Sequence, residues 1–584
     1  MAPQQPRRAS NRSGRVGVLA RHVEAVPFRP ALADIEDIAK RAWPDAAAAS
    51  GGCGSCGCEG GGAGAAPVAP SPCRSSAAAV VPPEPLPGPP LGVPPPAAPR
   101  KTQEPKLNTA EAYLASLRRR HLRVFLGGEL VQEPLDHPII WPSVNAVAET
   151  YRLYEQQPEL GSAAGFSGFR VSRFLHVAES NEDLVMQSRM QRELGRRTGT
   201  CFQRCVGMDA INATWSTTYE IDEKHGTQYH LRFQRFVAQM QAGNFVIGGA
   251  MTDPKGDRSK APSQQDDPDL FVRIAERKSN GNIVLRGAKM HQTGTLNSHW
   301  MLVMPGGALK EADKAYGVLC AVPVDAPGIT YVYGRQSCDL RALEGSEIDQ
   351  GNAKFGGQET TVIFDNVEVP PEYIFMDGEV EFAGMLVERF TAYHRRSYIC
   401  KAGLGDVLLG AAATIAQYNG AEKAAHVKDK LIEIAYLNEN IVGTALASSS
   451  FGKPTKSGNY LPDVLMANVC KHNVTKLPYE ISRLTQDLAG GLLVTLPNDK
   501  DFKHEVVGPL LEKFLATKQG VTVENRRRIL RLIENMTMGR NAVGYLTESM
   551  HGAGSPQAQR VLIQRLMDIE SKKELAKHLA GVKE

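Results

Sequence analysis

The sequence predicts an α+β fold in four parts. An extension over residues 1–106 is expected to be disordered. A helical domain over 107–245, a central antiparallel β-barrel or sandwich over 246–384 and a helix bundle over 385–584 follow it. Three observations predict this order. Apolar residues recur at helical spacing on both sides of the central span. Within that span, short β-branched and aromatic runs alternate with turn residues. The first hundred residues are too rich in Pro, Gly and Ala to build a core.

Residues 1–100 hold 18 of the 37 prolines and carry three of the four net positive charges. Residues 1–23 contain Arg7, Arg8, Arg12, Arg15 and Arg21 and no acid. That composition fits either an organellar targeting segment or a plain basic tail. A short helical pattern over 31–43 (Leu32, Ile35, Ala39, Ala42) leads into AAAASGGCGSCGCEGGG and then VPPEPLPGPPLGVPPP. Such sequence reads as a flexible linker with polyproline character. Its CxxCxC (Cys53, Cys56, Cys58) has no nearby fourth ligand, so it reads as incidental rather than as a metal site.

The helical domain opens with AEAYLASLRRRHLRVFLGG and continues through 206–245, where Tyr229, Phe233 and Phe236 recur at helical spacing. The β domain reads from NFVIGGAM, NIVLRGAKM, HWMLVMP, GVLCAVPV, ITYVYG and TTVIFDNVEV. In the bundle, Val427, Leu431, Ile434, Ala435, Asn438, Ile441, Val442 and Ala445 follow the i, i+4, i+7 rule, as do Leu562, Leu566 and Ile569.

Several function classes are excluded or disfavoured. The 67 basic and 63 acidic residues nearly cancel, which argues against a broad basic nucleic-acid surface. No uninterrupted apolar run reaches the roughly 18–20 residues of a membrane helix. Neither GxGxxG after a strand nor GxxxxGK[ST] occurs, which disfavours a Rossmann site and a P-loop. The reading is a soluble protein, cytoplasmic, or mitochondrial or plastid if the Arg-rich start is a transit peptide.

The chemistry-bearing residues fall into separate clusters. Cys201 and Cys205 form CFQRC, which on a helix would put both thiols on one face about 5–6 Å apart. HRRSYICK supplies His394, Tyr398, Cys400 and Lys401 where the first bundle helix is expected to begin. Three Cys and one His suit a structural zinc site, an iron–sulfur centre or plain packing, and spacing does not choose among them. MTDPKGDRS fits an anion-holding loop or an ordinary turn. Thr293 lies in loop chemistry, Glu359 begins a strand, and Glu548 and His551 precede a glycine pair. Cys320, Cys338 and Cys470 read as buried thiols.

CFQRC, MTDPKGDRS, MHQTG, FGGQETTVIFDNVEVP, ERFTAYHRRSYICKAGLGDVLLGAA and TESMHGAGSPQAQ run in order across about 200–560. Through them the chain resembles the 4-hydroxybutyryl-CoA dehydratase family of the 4-hydroxyphenylacetate 3-hydroxylase superfamily. The resemblance implies an acyl-CoA dehydrogenase-like fold, a homotetramer and a small-molecule acyl-CoA substrate, with no nucleic-acid or membrane partner. It implies radical dehydration of 4-hydroxybutyryl-CoA to crotonyl-CoA using FAD and a 4Fe–4S cluster, with vinylacetyl-CoA isomerase activity. The cluster ligands map to Cys201, Cys205, His394 and Cys400. Flavin contacts map to Thr252, Asp253, Lys255, Asp257, Arg258, His291, Gln292 and Thr293. Catalytic positions map to His394, Tyr398, Glu359, Glu548, Lys401 and Gln203. In one departure, His394 and Cys400 are six positions apart where the family has seven.

The chemistry accounts for such a set. The β-proton of the substrate is unactivated, and a positioned base supplies only about 10²–10⁴-fold. Transient one-electron oxidation of the substrate is the family's way of acidifying that position. Two other readings stand beside this one: a flavin-dependent phenol hydroxylase of the same superfamily without a cluster, and a non-catalytic zinc-bound Cys₃His scaffold.

Overall fold

The computed structural model describes residues 105–335 and 340–583. The expected disorder, targeting segment and CxxCxC of the extension lie outside the described residues, as does Cys338.

Helix α1 (Ala110–Leu117) starts on Thr109, whose hydroxyl accepts from the Ala112 backbone N–H at 3.0 Å. It ends earlier than AEAYLASLRRRHLRVFLGG suggests. The next residues form a hairpin, β1 (Val124–Leu126) and β2 (Glu129–Val131), turning on Gly127 and Gly128 at φ 62° and 92°. Two residues at positive φ are what a type I′ turn demands. The 107–245 span, expected to be mainly helical, therefore contains strands, and β1 pairs in parallel with a strand of the central region. Helix α2 (Trp141–Gln156) and a small hairpin, β3 (Ser162–Ala164) with β4 (Arg170–Ser172), come next. Helices α3 (Asn181–Thr198), α4 (Cys205–His225) and α5 (Tyr229–Gly243) complete this region. Tyr229, Phe233 and Phe236 of α5 are buried, as their spacing predicts.

All six expected strand segments form strands: β5 (Ile247–Ala250), β7 (Ile283–Thr293), β8 (Trp300–Val303), β9 (Val318–Pro323), β10 (Ile329–Tyr333) and β11 (Glu359–Val369). β6 (Arg273–Arg277) and β12 (Ile374–Asp377) add to them. They assemble into two sheets, ordered β2-β1-β10-β11-β7-β6 and β12-β9-β8-β5. Neither is wholly antiparallel, because β1 pairs with β10 and β5 with β8 in parallel. The first sheet buries Val124, Leu285, Tyr331 and Val362 in a core shared with α1 and α2. The second packs Leu302, Leu319 and Phe375 against α4 and α5. For the site, the important register is in β7–β11, which puts Thr293 opposite Glu359.

The C-terminal region is helical: α6 (Ala383–Ser397), α7 (Cys400–Tyr418), α8 (Ala425–Ser450), α9 (Val464–Val474), α10 (Leu477–Ala489) and α11 (Val523–Thr537). A π-helical turn (Val543–Thr547) follows, then α12 (Pro556–Leu566) and α13 (Ile569–Ala580). The predicted stripe of α8 is buried at Val427, Ile434, Asn438, Ile441, Val442 and Ala445. The stripe Leu562–Leu566–Ile569 does not continue as one helix. Asp568 at φ 45° ends it and caps α13 by accepting from the Ser571 N–H, which leaves Ile569 exposed. The stretch Val380–Tyr418 is apolar enough in length and composition to cross a membrane, but charges such as Arg396, Lys401 and Asp406 interrupt it and 67% of its most apolar window is buried in the fold.

The segment leading into β11 is held by buried charge. Asp499 accepts from Arg527 Nη2 at 2.6 Å and from Ser346 Oγ at 3.1 Å. Asp349 accepts from the Asp499 N–H at 2.7 Å and from Arg531 Nε at 3.2 Å. These bonds fasten residues 346–349 to α11. Burial opposes the charge on Asp499, but bonds from Lys503, Arg527 and Ser346 outweigh it and hold the carboxyl down to about 2. Its contribution is therefore complete above about pH 4 and is lost as pH falls towards 2. Asp499→Asn is expected to cost about 3 kcal/mol at neutral pH, read as a lowered thermal midpoint, with a smaller difference from wild type near pH 3.

Candidate functional site

The site is built where two chain breaks meet. Helix α3 closes on Gly199 in the left-handed region, and the chain runs through Cys201 before α4 begins at Cys205. The thiols are thus not on one helix, since only Cys205 is helical. Between them Gln203 sits at φ 67°, a conformation L side chains rarely adopt. Its amide is fully engaged. Nε2 donates to the carbonyls of Ser143 (3.0 Å) and Gly356 (3.1 Å), and Oε1 accepts from Asn297 Nδ2 at 2.7 Å. Gln203 therefore holds the cysteine loop in shape. Beside it, a Cβ on Gly294 would stand 2.6 Å from that of Gln203.

The second break lies between α6 and α7. HRRSYICK does not start a helix. His394 is in the last turn of α6, Tyr398 and Ile399 form the break, and Cys400 and Lys401 open α7. Across this step the backbone bonds tighten to i→i−3, from the Ile399 N–H to Arg396 O at 3.2 Å, Lys401 to Tyr398 at 2.9 Å and Ala402 to Ile399 at 3.0 Å. Cys400 is fixed by the crossing of α3 with α7: a Cβ on Gly195 would stand 2.3 Å from its carbonyl oxygen, and one on Gly403 would stand 2.2 Å from the Arg192 oxygen. Cys201, Cys205 and Cys400 are all buried.

Asp209, one turn beyond Cys205, joins the two breaks. Its carboxylate accepts from His394 Nδ1 at 2.8 Å and from Ser397 Oγ at 3.0 Å, with Arg396 at 3.8 Å. With Nδ1 engaged, Nε2 of His394 is left for another partner. Sequence reasoning missed Asp209. The available signal was an acid one helical turn from Cys205 on a face of small and apolar residues.

Acids and bases close the site. Thr293 Oγ1 lies 2.8 and 2.9 Å from the two Glu359 carboxylate oxygens, as the β7–β11 register requires. Burial, then the charge of Glu548, pushes Glu359 well above the carboxylate range. Glu548 follows directly on the π-helical turn, a feature common at functional sites. Lys401 Nζ donates to it at 3.3 Å. Burial alone would lower Lys401, but Glu548 and the three thiols hold its ammonium above the usual range. Burial, then Glu548, pushes the Tyr398 phenol up, so it stays neutral. Its hydroxyl donates to the Glu548 carbonyl at 3.4 Å, and its ring meets His394 edge-on at 5.4 Å. Burial first, then neighbouring charges and thiols, raises Cys201 and Cys205; Cys400 rises to about 11. Cys201, Cys205, Cys400, Tyr398, Lys401, Glu359 and Glu548 thus form one electrostatic neighbourhood.

The 251–258 loop contributes differently. Asp253 Oδ1 accepts from the buried Lys289 Nζ at 2.6 Å, and the Thr252 carbonyl accepts from the Met290 N–H at 2.8 Å. Gln292 bonds to the carbonyls of Thr252 and Met290. Asp257 turns the loop by accepting from Ser259, and Lys255 and Arg258 are exposed. His291, at φ 56°, is lowered by burial and by the charges of Lys255 and His551. Lys255, His291 and His551 therefore lie near one another at an open edge, as an anion would require.

Among the described residues, no three His, Cys, Asp or Glu side chains converge as the ligands of a single metal ion would. A closed Cys₃His zinc site needs such convergence. A cubane is a wider body, and its preferred donors are thiolates, with imidazole as a rarer substitute.

The family model described as "4-hydroxyphenylacetate 3-hydroxylase N terminal" matches residues 109–376, and the corresponding C-terminal model matches 383–581. The chain is 53% identical over 491 residues to the 4-hydroxybutyryl-CoA dehydratase/vinylacetyl-CoA-Δ-isomerase of Clostridium aminobutyricum, across 82% of this chain and 100% of the relative. A solved structure of an oxygen-tolerant archaeal 4-hydroxybutyryl-CoA dehydratase from N. maritimus is 63% identical, with a TM-score of 0.81 over 82% of this chain and 96% of that one. The oxygenase component of 4-hydroxyphenylacetate 3-monooxygenase, solved with FAD, shares the fold at 23% identity and a TM-score of 0.71, over 81% of this chain and 98% of that one.

The packing at Tyr398 is tight enough to test. A Cβ on Gly552 would stand 1.8 Å from the Tyr398 hydroxyl, although the Gly552 backbone (φ −60°, ψ 145°) suits any residue. Gly552→Ala should therefore act by overpacking alone. It is expected to lower stability by about 1–3 kcal/mol and to change the near-ultraviolet tyrosine signal. An unchanged midpoint and spectrum would show that Tyr398 is not held there.

Proposed function

Because the chain belongs to the 4-hydroxyphenylacetate 3-hydroxylase family, we propose that it dehydrates 4-hydroxybutyryl-CoA to crotonyl-CoA and isomerises vinylacetyl-CoA, with FAD and a 4Fe–4S cluster as cofactors. One observation carries the reading beyond the family. Three buried thiols share a neighbourhood with Glu548, Lys401 and Tyr398, a set that a flavin hydroxylase does not need. The 53% identity to a dehydratase/isomerase over the whole of that relative supports it.

The residues suit the cofactors. Cys201, Cys205, Cys400 and His394 would hold the cluster. Their raised thiols would release protons on binding a soft cation, and Asp209 orients the imidazole. The 251–258 loop, His291, Gln292 and Thr293 would face the flavin. When bound, FAD supplies one-electron chemistry and cluster iron a Lewis acid for a departing oxygen.

The chain's own groups then divide the proton work. Glu359 and Glu548 are two carboxyls in different environments: one buried against Thr293 and shifted up, the other facing the Lys401 ammonium. His394 is the further candidate base, and the neutral Tyr398 hydroxyl is a donor suited to the leaving hydroxyl. Gln203 shapes the loop between two ligands and reaches the substrate only through it. The raised position of Glu359 sets the sign of the pH dependence: its proton is lost as pH rises through its elevated value.

The test is an anaerobic assay of the full-length protein with 4-hydroxybutyryl-CoA. Crotonyl-CoA should form, and Glu359→Gln should lower kcat about 10²–10⁴-fold, with the wild type's alkaline decline absent from the residual rate. Hydroxylation of a phenol with reduced flavin, and no turnover of the thioester, would overturn the proposal.

A further inference from the structure

Lys471 lies on α9, in VLMANVCKHNV, and belongs to none of the clusters above. Its side chain is wholly buried. Nζ donates to the backbone carbonyls of Ser549 and Met550, the latter at 3.4 Å, and sits 4.5 Å from the centre of the Tyr398 ring. An ammonium has three donors. Here two go to the turn that begins at Glu548, and the charge faces the aromatic ring, a favourable cation–π arrangement when desolvated. The same turn is tied at its far end. Arg395 Nε donates to the Ala553 carbonyl at 3.0 Å, and Arg395 Nη1 donates to Asn468 Oδ1 at 2.6 Å, one turn before Lys471 on α9.

The 548–554 segment needs such support. It follows a π-helical turn, makes a single helical turn over Glu548–His551, and leaves regular structure at Ala553, whose φ is 56°. Keeping a charge there is costly. Burial, then Arg395 and Lys401, draws Lys471 down to about 7. Buried groups shifted this far cluster at functional sites.

We infer that Lys471 is a positioning residue: it ties the backbone of the Glu548 turn to the face of Tyr398, so that the two groups keep one relation to the reacting atoms. The inference rests on the proposed dehydratase reading for its effect on rate, but not for the clamp itself.

The test uses the full-length holoenzyme as wild type, Lys471→Met and Lys471→Arg, with two readouts. One is hydrogen exchange of the backbone amides of 543–554, which does not depend on turnover. The other is kcat and KM for 4-hydroxybutyryl-CoA. Lys471→Met should exchange faster over 543–554 and lose about 10–100-fold in kcat, with KM within about threefold of wild type. Lys471→Arg should recover part of both. Lys471→Gln, which keeps a donor without the charge, is read in the same way if Lys471→Met does not accumulate as folded protein. Unchanged exchange with kcat within about twofold overturns the inference. A matched fall of kcat, flavin content and thermal midpoint that Lys471→Arg does not rescue overturns it too, because that marks a general packing role. If wild-type protein does not turn over the thioester, the dehydratase reading fails, and exchange alone then decides the clamp.

Discussion

The buried carboxylate of Asp209 ties the site together. Its side chain is only 1% exposed, and a lone charge so placed would be prohibitive. His394, Ser397 and Arg396 offset that cost, and all three come from α6. Asp209 itself is one turn after Cys205 on α4. The bond that keeps the carboxylate affordable therefore also sets where α6, and the α7 thiol that follows it, lie relative to the cysteine loop. Burial energetics and site geometry are the same requirement here.

The rest of the site is arranged around that junction. Four of the reactive side chains are at interruptions of regular structure: Cys201 in a loop, Tyr398 between two helices, Glu548 after a π-helical turn, Glu359 at the first residue of a strand. Interruptions free side chains to converge, and each is stabilised from outside. Gln203 holds the cysteine loop, the β7–β11 register holds Glu359, and Lys471 with Arg395 holds the turn at Glu548. Removing such a support is expected to affect rate before it affects the fold, because the surrounding helices and sheets have their own cores.

Much of this was legible in the sequence, for physical reasons. The strands of the central region announce themselves because β-branched runs between turn residues have few alternatives. Long helices such as α8 show their buried stripe directly. The clusters of chemistry were visible as residue types, and the dehydratase resemblance grouped them. Connections were harder to see. VFLGGELV carries a hairpin signal, two glycines between apolar runs, but it follows a strong helix former and reads as its continuation. Whether a sheet is parallel depends on partners far along the chain, so β1–β10 and β5–β8 left no local mark. Asp209 and Lys471 sit among small and apolar residues on helix faces, where pattern reading expects core. Their importance lies in partners about 190 and 80 positions away, which only the folded chain reveals.

The central claim is that Cys201, Cys205, Cys400 and His394, set by Asp209, form the seat of an iron–sulfur cluster. Iron and acid-labile sulfide, measured per chain on full-length protein purified under argon, test it most directly. The account predicts about four of each for wild type, with retention weakened about 10–100-fold in Asp209→Asn. Wild-type protein that is folded and holds flavin but no iron would contradict it.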